Sequence, residues 1–165
     1  MMLLGLALRN GSTPLDDWFQ SYNRSPIRWL QYLMQLPVIA IVLVMCVAVA
    51  VSQRRWHLAA AAVLAPVVGV VLAQLFKEVI QRPMEGVFAY PSGHATLAVT
   101  VLGIAIIVAG VARWAVVIAA AWCLLGMVGV GVSFHYFTDT VGGLLLGTAI
   151  VCVVALILGR APHRT

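Results

Sequence analysis

Residues 91–112 read PSGHATLAVTVLGIAIIVAGVA. The first four, Pro91-Ser92-Gly93-His94, break regular structure, and Ala95 to Ala112 then runs without a charge. The run is continuously apolar rather than alternating, so it reads as a buried or lipid-embedded helix and not as a barrel strand. Four other runs resemble it: Trp29 to Val51, Trp56 to Phe76, Trp114 to Phe134 and Thr140 to Leu158. Each is near the length of about 20 residues that crosses a bilayer. The expected fold is therefore all-α, a polytopic membrane helix bundle with about five transmembrane helices.

The composition agrees. Of 165 residues, 63% are apolar and 9% charged, where a soluble domain carries about 25% charge. The net charge of +5 comes from nine Arg and one Lys. No basic stripe with interleaved aromatics accompanies it, so lipid head groups and loop asymmetry explain the charge and nucleic acid does not. Cys46, Cys123 and Cys152 lie inside apolar runs, with neither metal-site nor disulfide spacing, and read as small membrane-core residues. The apolar start, Met1 to Leu8, lacks a basic region and a cleavage site and does not read as a signal peptide. The preference for Arg over Lys is compatible with a GC-rich bacterial genome.

Residues 1–165 form one expected domain, with an N-terminal segment (1–28), a bundle (29–159) and a tail (160–165). In the first, Thr13 is a candidate cap for a short helix through Asp16, Asp17, Trp18 and Phe19, placed at the bilayer interface by Trp18, Phe19 and Tyr22. Pro37 is a candidate kink in the first span. Gly126, Gly129 and Gly131, and Gly143-x3-Gly147, suit close helix packing.

The connections sort onto two sides. One side collects the N-terminal segment, the loop from Lys77 to Pro91, and the turn from His135 to Asp139. The other collects Gln53-Arg54-Arg55, Arg113 and a tail with Arg160 and Arg164, five Arg with no acid. His57 and His163 also fall there, as interfacial or tail residues. Counting basic residues outside candidate functional positions modestly favours the second side as cytoplasmic. This arrangement brings Lys77, Arg82, His94, His135 and Asp139 to one face of the membrane.

Each has a structural and a chemical reading. His135 and Asp139 are four apart and share a face if helical; the carboxylate could fix the imidazole tautomer and leave the other nitrogen to attack, or Asp139 could simply begin the fifth helix. Ser92 is a natural N-cap, Gly93 permits close approach, and free N–H groups at a helix start bind phosphate, with His94 beside them as a possible proton donor. Lys77 and Arg82 could answer the helix dipole or grip phosphate oxygens.

Together these residues resemble the type 2 phosphatidic acid phosphatase (lipid phosphate phosphatase) superfamily, whose pattern is Lys-x6-Arg-Pro, then Pro-Ser-Gly-His, then Ser-Arg-x5-His-x3-Asp. Pro91 to His94 match the middle motif fully, and His135-x3-Asp139 match the second half of the third. The resemblance implies a metal-independent enzyme with no cofactor. His135 would be the nucleophile forming a phosphohistidine, Asp139 its orienting partner and His94 the general acid. Lys77, Arg82, Ser92 and Gly93 would hold phosphoryl oxygens. The substrate would be a membrane lipid carrying a phosphomonoester or pyrophosphate: decaprenylphosphoryl-5-phosphoribose is one candidate, with undecaprenyl pyrophosphate and phosphatidylglycerol phosphate as others. The chemistry would face outward from a bacterial cell membrane.

Two departures stand out. The first motif is short, Lys77-x4-Arg82-Pro83, and residues five apart on a helix diverge by about 140°. The Ser-Arg of the third motif falls at Val128 and Gly129. From another class, a small channel, transporter or scaffold could use the same His and Asp as a proton relay.

Overall fold

The computed structural model describes residues 1–84 and 86–160; Glu85 and the tail from residue 161, with His163 and Arg164, lie outside the described residues. It is an all-α membrane bundle. The helices are α1 (Met2–Ala7), α2 (Pro14–Gln20), α3 (Leu36–Ser52), α4 (Trp56–Ile80), α5 (Gly93–Val108), α6 (Arg113–Ser133) and α7 (Phe137–Arg160). A 3-10 segment, Pro26–Met34, precedes α3, and a two-residue hairpin, β1 (Pro83–Met84) with β2 (Val87–Phe88), interrupts the loop before α5.

Four helical stretches are long and apolar enough to cross a membrane: Pro26–Ser52, Trp56–Ile80, Arg113–Ser133 and Phe137–Gly159. The run expected to form the third span is shorter. At 16 residues, α5 is about 24 Å long. It lies in the middle of the bundle, packed against α3, α4, α6 and α7. Ala95, Thr96, Ala98, Val99, Thr100, Val101, Leu102 and Ile104 are all buried. Its hydroxyls bond within the helix, Thr96 to the Ser92 carbonyl and Thr100 to the Thr96 carbonyl, so neither threonine is left unpaired.

The bundle is built on small residues. A Cβ on Gly143 would come within 2.7 Å of the Ala95 Cβ and the Ser92 carbonyl oxygen, and one on Gly147 within 2.8 Å of the Val99 Cβ. The Gly-x3-Gly face of α7 is thus where α5 crosses it at close range. Large apolar residues point outward instead: Ile41, Val44, Leu64, Val117 and Leu156 are each 60% exposed or more. Trp56 and Trp114, at the starts of α4 and α6, are exposed in the same way, as expected of interfacial anchors. An apolar groove of about 610 Å³ runs between α4 and α7, from His57 to Phe76 on the α4 side.

Three expectations need correction. Pro37 does not kink the first span. Gln35 is extended, α3 begins at Leu36, and Pro37 occupies its first turn, where a missing N–H leaves no bond unmade. The expected helix start at Trp29 is a 3-10 segment instead. The second span also runs further than Phe76, to Ile80, and ends at Gln81 in the left-handed region, φ 53°. The helix therefore stops between Lys77 and Arg82, which resolves the short spacing: Lys77 remains on the last turn and Arg82 leaves the axis.

Candidate functional site

The α6–α7 turn carries His135. Its backbone N–H bonds the Val130 carbonyl at 3.2 Å, Asp139 N bonds the Tyr136 carbonyl at 3.0 Å, and Gln20 Nε2 donates to the His135 carbonyl at 3.1 Å. His135 precedes α7, so a shared helical face is not what joins it to Asp139. The turn does so, placing His135 Nδ1 3.9 Å from Asp139 Oδ2. Both atoms are buried and have no hydrogen-bond partner among the described residues. That distance is too long for a hydrogen bond, yet the two are each other's facing polar groups.

The Pro-Ser-Gly-His turn reaches the same place from α5. Ser92 is the N-cap, its Oγ accepting from Ala95 N at 3.4 Å. Its own N–H bonds the Asp139 carbonyl at 3.0 Å, tying the start of α5 to the start of α7. Ser92 is fully buried, whereas His94 is exposed. The His94 ring lies edge-on to Phe134 at 5.2 Å and 6.2 Å from the His135 ring, centroid to centroid. At Gly93, a Cβ would meet nothing within 4 Å. The space in front of the helix start is open. Lys77 is half-buried on the last turn of α4, within electrostatic reach of Asp139 and His94.

Arg82 departs from its expected role of holding phosphoryl oxygens. It is the largest fully buried side chain among the described residues. Its Nη1 donates to Asp139 Oδ1 at 2.6 Å and to Thr138 Oγ1 at 2.7 Å; Nη2 donates to Asp16 Oδ2 at 2.7 Å and to the Gly11 carbonyl at 2.8 Å; Nε also donates to Gly11, at 3.1 Å. The Tyr136 ring covers the guanidinium at 4.5 Å. Every nitrogen is committed within the protein, and two carboxylates already balance the charge, so Arg82 organises the site from beneath.

Asp16 is the residue that sequence reasoning missed in this role. It was legible as the fourth residue of a capping box, and it is one: Thr13 Oγ1 accepts from Asp16 N, and Asp16 Oδ2 accepts from Thr13 N. It also accepts from Thr138 N at 2.9 Å, from the Thr138 hydroxyl and from Arg82. Burial alone would push its carboxyl upward, but the bonds from Thr138, Arg82 and Thr13 outweigh this and hold it below its ordinary value. Tyr90, whose hydroxyl donates to the Met1 carbonyl, is pushed up to about 12 by burial and by the Asp139 charge, against the opposing influence of Arg82.

At Gly129, the position where the resembling pattern has Arg, there is no room for a side chain. A Cβ at Gly129 would collide with the backbone of Leu30 and Gln31, because the 3-10 segment occupies that space. Arg24 and Arg28 are exposed, with Arg28 beside the Trp29 ring at 6.0 Å. Compared with protein-family models, with curated proteins and with solved structures, the chain matches none.

Proposed function

We propose that the chain is an integral membrane lipid phosphate phosphatase acting through a phosphohistidine. The observation that carries this reading is the buried, facing and otherwise unpartnered pair His135 Nδ1 and Asp139 Oδ2, with a second imidazole, His94, 6.2 Å away at an open helix start. An imidazole whose Nδ1 is held by a carboxylate presents Nε2 as nucleophile.

In the first step the Nε2 lone pair of His135 forms an N–P bond as the P–O bond to the leaving group breaks. The leaving oxygen takes that electron pair and a proton from His94. Water then attacks phosphorus, its proton passes to His94, and the N–P bond breaks to release inorganic phosphate. Lys77 and the free N–H groups at the start of α5 would carry the developing oxygen charge. Ser92 caps its helix, so its contribution is the shape of the turn.

The bundle supports a lipid substrate, because a site at helix ends suits a phosphate head group whose tail stays in the bilayer. A polyprenyl or glycerolipid carrier fits, with decaprenylphosphoryl-5-phosphoribose as the first candidate. The loop charges modestly favour an outward-facing site, and the Arg-rich composition is compatible with a bacterial membrane. The test is phosphate release by purified protein from a panel of lipid phosphates. His135→Ala is expected to lower turnover by at least a thousandfold, and acid-labile phosphate is expected on His135 of the wild type. Undiminished release by His135→Ala would refute the mechanism.

A further inference from the structure

We infer that Asp16 is a positioning residue for the Asp139–His135 pair, acting by keeping the Arg82 guanidinium divided between two carboxylates. The role it serves rests on the phosphatase reading; the geometry does not. An Arg beside a single carboxylate settles into a bidentate fork that occupies both oxygens. Here the fork is split, with Nη1 on Asp139 Oδ1 and Nη2 on Asp16 Oδ2. Asp139 therefore spends one oxygen on Arg82 and keeps Oδ2 for His135. Thr138 fixes the split. Its N–H and hydroxyl bond Asp16 while its oxygen accepts from Arg82 Nη1, and Gly11 takes the remaining Arg82 hydrogens. All three charged side chains are fully buried, so water cannot substitute for a lost partner. The charged or titratable groups around Asp139 are Arg82, Lys77 on α4, Tyr90 before α5, and His135 itself. Among the described residues, only Arg82 donates to it directly through a side chain.

Without the Asp16 charge, Arg82 would close its fork on Asp139 and take Oδ2 from His135. The probes are Asp16→Asn, Arg82→Lys and the double variant, since an ammonium cannot make the bidentate fork. The first readout is the tautomer of His135 by nitrogen NMR of histidine-labelled protein, which needs no substrate. The expected outcome is an Nδ1–H tautomer in the wild type, loss of that preference in Asp16→Asn, and its partial return in Asp16→Asn/Arg82→Lys. The second readout is turnover: a fall of about tenfold or more in kcat with KM changed less than twofold for Asp16→Asn, again partly restored in the double variant. A merely structural Asp16 would make the double variant worse than either single one, and that result overturns the inference. So does an unaltered tautomer in Asp16→Asn, or a wild type without the Nδ1–H form. Thr138→Val provides a second route should Asp16→Asn not fold: it is expected to shift the tautomer in the same direction, and an unchanged spectrum overturns the inference as well. If the tautomers respond as expected but no variant, wild type included, releases phosphate from lipids, the phosphatase reading fails and the positioning role stands.

Discussion

At the scale of single residues, Gly93 and His135 make different demands. Gly93 starts α5, and a methyl carbon added to it would meet nothing within 4 Å. Its φ is not in the left-handed region. A β-carbon there strains neither the backbone nor a neighbour. On the phosphatase reading, Gly93→Val would act by placing its side chain in the open space where a phosphoryl group approaches the helix start. The expected result is a thermal midpoint near that of the wild type with turnover reduced at least a hundredfold; near-normal turnover would remove the helix start from the phosphate site. Arg82 behaves in the opposite way. Its motif position survives, yet its donors are all used inside the protein. The residue type was legible in the sequence. Which partner it faces was not, because Asp16 stands 66 positions away.

At the scale of elements, the 3-10 segment Pro26–Met34 matters most. It lies against α6, with Met34 beside Gly126 and the backbone of Leu30 and Gln31 against Gly129, and Trp122 Nε1 caps its end through the Leu33 carbonyl at 2.8 Å. The segment leaves no room for a side chain at Gly129. Gly129→Ala is therefore expected to cost about 1–3 kcal/mol by forcing backbone apart, read as a lowered thermal midpoint in detergent, and Gly129→Arg to prevent folding. A stable, folded Gly129→Arg would show that the segment moves away freely. Pro26 stood in the sequence just before the first span, whereas Pro37, read as a kink, proved to be in the first turn of α3, and the 3-10 path between them lies against α6.

At the scale of the whole molecule, the N-terminal segment is joined to the bundle by charge as well as by packing. Phe19 stacks on Phe137 at 4.0 Å, Gly5 sits under Tyr90 and Ile80, and Asp16 closes the ion network. Because the Asp16 carboxyl is held below its ordinary value of 3.8, its contribution to stability is fully present above that value and is lost as pH falls through the lower, folded one. The thermal midpoint of Asp16→Asn is thus expected to lie several degrees below that of the wild type by a constant margin from pH 5 to 8, and the margin to narrow below pH 4. A margin that persists undiminished at pH 3 would mean that the charge of Asp16 is not what holds the segment. The sequence by itself determined the helical membrane class, the suitability of Gly143-x3-Gly147 for close helix packing, and the gathering of His94, His135 and Asp139 at one end. Each is a consequence of apolar periodicity, chain direction and local motif, which are properties of contiguous residues. Only the tertiary structure decided that α5 is a short central helix, that Arg82 serves carboxylates, and that Asp16 belongs to the site. Those depend on which distant groups share a space closed to water, where every charge must find its partner within the protein.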